Sequence, residues 1–161
     1  CAADKVKIPM IASGGFGDGR GFVAALALGA EGINMGTRFC ATQEAVLHPN
    51  VKHAYIDNHE RGTNLIFRSL KNSARVGKSA VSDEVVRRLA EPGATFADVK
   101  ELVAGEKGRE MLRTGDMSQG IYWASMVQGL IHDIPTCKEL IDRIIADAES
   151  ILDQRIQGFR R

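Results

Sequence analysis

The sequence predicts an α/β fold, and two observations carry that prediction. Two short apolar runs, residues 8–13 and 33–36, run into glycine at Gly14 and Gly36, and the alanine-rich stretch of residues 22–30 between them closes at Gly29. Together they read as a β-α-β unit whose parallel strands put their carboxyl ends on one face. The backbone N–H groups of Gly14-Gly15 and Gly36-Thr37 would then point into one small volume. Bare amides converging in this way suit a phosphate.

Residues 8–13 and 33–36 are near-continuously apolar, as strands covered on both faces should be. Asp18 precedes the crossover helix and is placed to cap its free N–H groups, while Gly19 and Gly21 allow that turn to pack closely. Residues 41–58 read as helical with a break at Pro49, and residues 63–70 and 74–81 as extended or irregular. Ser82-Asp83-Glu84 opens a helix through Leu89, with acids in its first turn, Arg87-Arg88 near its end and Pro92-Gly93 stopping it. Thr95-Phe96-Ala97-Asp98 forms a capping box for a helix to Val103, and residues 107–112 add a short one. An apolar helix over residues 120–131 contains Trp123, and Thr136-Cys137-Lys138-Glu139 caps the last helix. In that helix Leu140, Ile141, Ile144, Ile145, Ala148, Ile151 and Leu152 recur at helical spacing, so one face is expected to cover a sheet. Residues 155–161 read as a solvated tail. The chain divides into a β-α-β unit over 1–45, a mainly helical insertion over 46–117 and closing helices over 118–161.

Composition narrows the function. With 161 residues, 44% hydrophobic and 25% charged, the chain has enough apolar material for one globular domain. A net charge of +1, with basic residues scattered among acids, argues against nucleic acid or an anionic membrane surface as a partner. No apolar run reaches the roughly 18 residues of a membrane helix, the first residues do not resemble a signal peptide, and a cytoplasmic location is expected. Cys1, Cys40 and Cys137 are odd in number and lack metal-ligand spacing, so reduced thiols and no metal site are expected. Because the chain starts at Cys1 and soon enters a buried-looking strand, it reads as a fragment.

Strand, glycine pair, helix, strand and Gly-Thr, in this order, is how the last two strands of a (β/α)8 barrel build a phosphate site. More specifically, Gly14-Gly15-Phe16-Gly17-Asp18-Gly19-Arg20-Gly21, Ala24-Ala25-Leu26-Ala27-Leu28-Gly29-Ala30 and Asn34-Met35-Gly36-Thr37-Arg38-Phe39 resemble the nitronate monooxygenase family, formerly called 2-nitropropane dioxygenases. Gly129-Leu130-Ile131-His132-Asp133-Ile134-Pro135 is similar to that family's closing barrel region. The resemblance implies the C-terminal part of an FMN-dependent barrel that oxidises alkyl nitronates with O2, releasing nitrite and a carbonyl product, with a homodimer as the full-length assembly. It places Gly15 and Asn34, Met35, Gly36 and Thr37 at flavin-binding positions, with Gly14 as their neighbour and the Thr37 hydroxyl added to the amides.

The family's proposed catalytic base is a histidine after an earlier strand, and none of His48, His53, His59 or His132 matches it, so no catalytic residue is assigned here. The fragment alone is expected to be inactive and, because its strand edges are exposed, to aggregate or to bind flavin weakly. Asn34 stands where many members carry glutamine, and Ser125-Met126 where many carry glycine followed by glutamine or methionine. A flavin-dependent enoyl-acyl-carrier-protein reductase shares a similar glycine segment and is the alternative enzyme, although the His132-Asp133-Ile134-Pro135 segment favours the nitronate family. A truncated, non-catalytic phosphate-ligand module is the third reading.

Several side chains have simpler roles than a site. Arg20 and Arg38 are within reach of a phosphate, but a salt bridge to Asp18 and a cap at a carboxyl end are simpler. Trp123 and Met126 are expected in the core, His132 in a structural hydrogen bond, and Cys40 buried and inert. Residues 68–75 suit a lid over the flavin or a solvated connection equally well.

Overall fold

A short parallel ladder sets the architecture. In the computed structural model, which describes residues 2–159, β1 (Ile11–Ser13) pairs with β2 (Gly32–Asn34) in the register Ile11↔Gly32, Ala12↔Ile33, Ser13↔Asn34. A one-turn helix α1 (Ala2–Lys5) precedes it, and the crossover is α2 (Gly19–Ala27). The strands are shorter than the apolar runs because Ile8 and the residues flanking Pro9 lie outside the ladder, with Ile8 74% exposed. The Asp18 carboxylate accepts from the Gly21 N–H at 3.1 Å, and Gly29 follows the helix with φ of 95°, so both ends are stopped as the sequence predicts.

The chain then leaves the sheet through α3 (Thr37–Cys40). Residues 41–48, expected as helix, form turns instead. Pro49 starts a helix rather than breaking one: it is the first residue of α4 (Pro49–Asp57), where its fixed φ suits the first turn. His48 caps that helix by accepting from the Asn50 N–H through Nδ1, and its own N–H donates to the Leu112 carbonyl.

An antiparallel hairpin follows, β3 (Thr63–Ile66) against β4 (Ala74–Gly77), within the segment 46–117 expected as mainly helical. Its connection turns through Phe67 and Lys71, both at positive φ. Helix α5 (Ala80–Leu89) begins one turn earlier than expected, because Ser79 and not Ser82 is the cap. Ser79 Oγ accepts from the Ser82 N–H at 3.2 Å, and Ser82 Oγ accepts from the Ser79 N–H at 2.9 Å. The capping box at Thr95 and Asp98 forms, but it opens only a 3-10 turn, Phe96–Asp98, beyond which Val99 is fully buried. Helix α6 (Gly105–Thr114) ends on Gly115 at φ of 75°.

The apolar helix expected over residues 120–131 is not formed. Burial alternates instead along an extended segment, with Tyr122 and Ala124 buried and Trp123 61% exposed. Val76 pairs with Trp123 in an antiparallel bridge, and the Gly77 N–H donates to the Tyr122 carbonyl at 2.9 Å. An extended neighbour that satisfies the free edge of β4 outcompetes the local helix tendency. Only Met126–Leu130 coils, as a 3-10 turn.

The last helix, α7 (Cys137–Ile151), carries the capping box between Thr136 and Glu139 and buries Leu140, Ile144 and Ala148. Its apolar face meets α2 rather than a sheet. The approach is close enough that a Cβ at Gly19 would lie 2.7 Å from the Ala148 amide nitrogen. Two cores result. One joins Val51, Tyr55, Met111, Tyr122 and Ile131, and the other joins Ile66, Val76, Val85, Val99 and Ile121. Among the described residues no helix is long and apolar enough to cross a membrane. Cys40 and Cys137 are free thiols, whereas Cys1 and the last residues of the expected tail lie outside the described residues.

Gly77→Ala tests the packing that holds the extended segment. The added methyl would fall on the Tyr122 ring, so roughly 2–3 kcal/mol of stability should be lost, seen as a lower urea midpoint with an unchanged m-value.

Candidate functional site

The two strand ends emerge abreast, as the register requires. Gly14 and Gly15 adopt φ of 89° and 80°, a region that side-chain-bearing residues avoid, which turns the chain sharply after Ser13. The Gly14 N–H donates to the Asn34 carbonyl at 3.4 Å, so it continues the ladder and is not a bare amide. Among the described residues, neither the Gly15 nor the Gly36 N–H is hydrogen-bonded. A Cβ added at Gly14, Gly15 or Gly36 would meet nothing within 4 Å.

Gly36 is the informative one of the three. Its φ of −96° and ψ of −69° are open to any residue, and the space above it is free, so neither backbone nor packing calls for glycine. An external group approaching the backbone would supply that requirement.

A cavity of about 460 Å³ opens beside the first glycine turn, lined among others by Gly14, Gly15, Arg75, Ser125 and Met126. Asn34, Met35, Gly36 and Thr37 are at the adjoining strand end and do not line it. The exposed Asn34 side chain donates to Ser13 Oγ at 3.2 Å, tying the strand ends together. The Thr37 hydroxyl oxygen accepts from the Ser125 N–H at 3.1 Å, which positions a wall of the cavity and leaves the hydroxyl proton to donate. Met126, expected in the core, is half exposed and faces this space.

Arg75 was not singled out by sequence reasoning. It belongs to the run 68–75, for which lid and solvated connection remained open, and the alternation of β4 is the signal that would have found it. Val76 is fully buried, so its neighbour Arg75 points to the opposite face. The hairpin brings that face to the glycine turn.

Arg20 and Arg38 serve the fold. Arg20 pairs with Asp18, and the capping Gly21 N–H together with Arg20 outweighs burial to hold the Asp18 carboxyl below its ordinary value. Arg38 is buried and donates to the Asp133 carboxylate at 2.8 Å and to the Ala41 and Asp133 carbonyls. Arg143 takes the second oxygen of the same carboxylate at 2.6 Å. Burial pulls the Arg38 pKa down and Asp133 opposes it, but an arginine so placed stays charged. This clamp fixes the chain after β2 to the turn before α7.

Of the histidines, His48 and His59 accept from nearby backbone N–H groups, and His53 and His132 are exposed. His132 makes no hydrogen bond among the described residues, so the expected structural role is not seen. Cys40 is half buried against a separate, largely apolar cavity of about 340 Å³ with Tyr55, Tyr122 and Trp123. Burial pushes the Tyr55 hydroxyl well up, which keeps it a neutral donor to the Trp123 carbonyl.

Comparison with known proteins adds independent information. A family model described as nitronate monooxygenase matches residues 1–147. The chain is 34% identical over 185 aligned residues to a (3aS,4S,5R,7aS)-5-hydroxy-7a-methyl-1-oxo-octahydro-1H-indene-4-carboxyl-CoA dehydrogenase of Rhodococcus jostii, covering 93% of this chain and 52% of the relative. It is 28% identical to a nitronate monooxygenase of Neurospora crassa, over 95% of this chain and 41% of the relative. FabK from Thermotoga maritima superimposes with a TM-score of 0.87 at 30% identity, over 98% of this chain and 49% of that one. The chain thus spans about half the length, or less, of the relatives it matches.

The clamp on Arg38 predicts an acid-sensitive share of stability. Partial burial raises the Asp133 pKa, but Arg143 and Arg38 together outweigh it and leave the carboxyl below its ordinary value. A depressed carboxyl stabilises the fold above its unfolded pKa and stops doing so as pH falls through the lower folded value. Asp133→Asn should therefore lower Tm at neutral pH, and the gap to the unaltered chain should close on acidification below about pH 4.

Proposed function

Because the chain belongs to the nitronate monooxygenase family, an oxidoreductase family, we propose that it forms the closing part of an FMN-dependent (β/α)8 enzyme that oxidises alkyl nitronates with O2. The observation that carries this reading is Gly36. It is a glycine that neither the fold nor its neighbours need, beside a second glycine turn with an unbonded amide and open space above both. A phosphate accounts for that combination, since it needs close approach to donors with no side chain in the way.

The residues present fit the phosphate of FMN. Gly15 and Gly36 would donate their amides to it, with Gly14 setting the turn and Asn34 and Met35 bringing the second strand end alongside. Thr37 holds Ser125 in place, and Met126 offers an apolar wall. FMN, when bound, supplies the electron transfer. The segments divide accordingly into a phosphate-binding unit over 1–45, an insertion over 46–117 and closing elements over 118–161, with β1 and β2 as the last two barrel strands. No catalytic residue is assigned within the chain. The small-molecule substrate and O2 are its expected partners, and the full-length enzyme is read as a cytoplasmic homodimer.

One observation favours a second reading. The Rhodococcus jostii relative is named as a carboxyl-CoA dehydrogenase. An acyl-thioester oxidoreductase of this family would use the same phosphate cradle. Reduction of the bound flavin by an alkyl nitronate supports the first reading, and reduction by NADH with turnover of an acyl thioester supports the second. A purified chain that is yellow and releases FMN on denaturation counts against the third reading, a non-catalytic module.

Gly36→Ala isolates the cradle from the fold. Its backbone angles accept alanine, so Tm should stay unchanged while FMN affinity falls at least roughly tenfold, about 1.4 kcal/mol. Unaltered affinity by fluorescence titration would remove the phosphate from this strand end.

A further inference from the structure

Arg75 is the charged side chain of the strand-end cavity. The other lining residues are glycines, Ser125 and apolar side chains, and none is acidic. Its Nη1 donates to Thr63 Oγ1 at 2.7 Å across the hairpin, where Thr63 pairs with Gly77 two places along from the Arg75↔Leu65 pair. Among the described residues no carboxylate lies within ion-pair distance of Arg75, in contrast to Arg20, Arg38, Arg87, Arg88, Arg113 and Arg143. The side chain is half buried and held by a hydroxyl that leaves the remaining guanidinium donors unspent.

A cation and the free Gly15 amide lining one cavity, with no acid among the lining residues, describe a receptor for an anion. We propose that Arg75 is the counter-cation of a phosphate monoester seated at the Gly14-Gly15 turn. This rests on the proposed cradle and extends it, because it makes the β3-β4 hairpin part of the binding site. A guanidinium engages two oxygens of a phosphate at once, and Thr63 sets its orientation before the ligand arrives. The phosphate would then bridge the first strand end to the hairpin, so that ligand binding orders the segment around residues 63–77 as well as the glycines.

Arg75→Met, which keeps length and removes charge, tests this by comparing FMN with riboflavin, which lacks the phosphate. Fluorescence titration should show FMN binding weakened roughly tenfold or more with riboflavin unaffected, and a shallower dependence of FMN affinity on salt. Arg75→Lys should recover part of the loss, and Thr63→Val, which frees the guanidinium without removing it, should weaken FMN by a smaller factor. In the unaltered protein, FMN but not riboflavin should slow hydrogen exchange in residues 63–77. Equal weakening of both flavins, or of neither, overturns the assignment. If the unaltered protein binds neither flavin, the FMN reading fails separately. Thermal shift by inorganic phosphate then decides Arg75, which stands if Arg75→Met abolishes the shift and falls if no shift exists or it persists. Should Arg75→Met fail to fold, Arg75→Lys and Thr63→Val carry the same comparison.

Discussion

The parallel ladder between β1 and β2 is the constraint on which the candidate site depends. Three residue pairs put Ser13 beside Asn34, and from that single alignment the chain leaves both strands at the same carboxyl edge of the ladder, just before Gly14 and Gly36. A shift of one residue would turn the slipped strand's side chains to the opposite face and offset the two glycine ends. The Asn34 to Ser13 hydrogen bond and the Gly14 to Asn34 backbone contact reinforce this alignment where it matters, at the carboxyl ends. Helix α2, stopped by Asp18 and Gly29, is the length of chain that makes the crossover possible.

What surrounds that ladder is held by contacts between distant parts of the chain. The extended segment around Tyr122 belongs to both cores: Ile121 packs into the hairpin core and Tyr122 into the other, where its ring meets Tyr55 edge-on at 5.3 Å. Just beyond it, Ser125 is bound by Thr37, and Gln128 is fully buried and donates to the His59 and Gly62 carbonyls at 3.0 and 2.8 Å. A single stretch of about eight residues thus joins the β-α-β unit, the hairpin and α4. The cavity beside Gly14-Gly15 exists because that stretch is extended. The helix that its apolar composition suggests would have turned Ser125 and Met126 elsewhere.

Chemically, the arrangement separates two kinds of arginine. Arg38 is spent on Asp133 and on carbonyls, locking the chain after β2 to the start of α7, whereas Arg75 is held by a neutral hydroxyl and keeps its charge available. The distinction comes from neighbours and not from residue type. It also explains why the family resemblance located the glycines without pointing to the hairpin. The same limit applies to substrate: a relative named for nitronates and one named for a carboxyl-CoA both match across nearly the whole of this chain.

Local chemistry alone determined the β-α-β unit, its Asp18 cap and Gly29 stop, the glycine strand ends and the capping box of α7, because each depends on residues within a few positions of one another. The extended course of residues 121–124, the turns at 41–48 and the packing of α7 on α2 were decided by tertiary structure. In each of these a partner far along the chain outweighed a weak local preference: the free edge of β4, the Leu112 carbonyl, and the close face opened by Gly19. Arg75 belongs to the same group. Its alternation with Val76 was visible in the sequence, but only the folded hairpin shows that Arg75 lines the same cavity as Gly14 and Gly15.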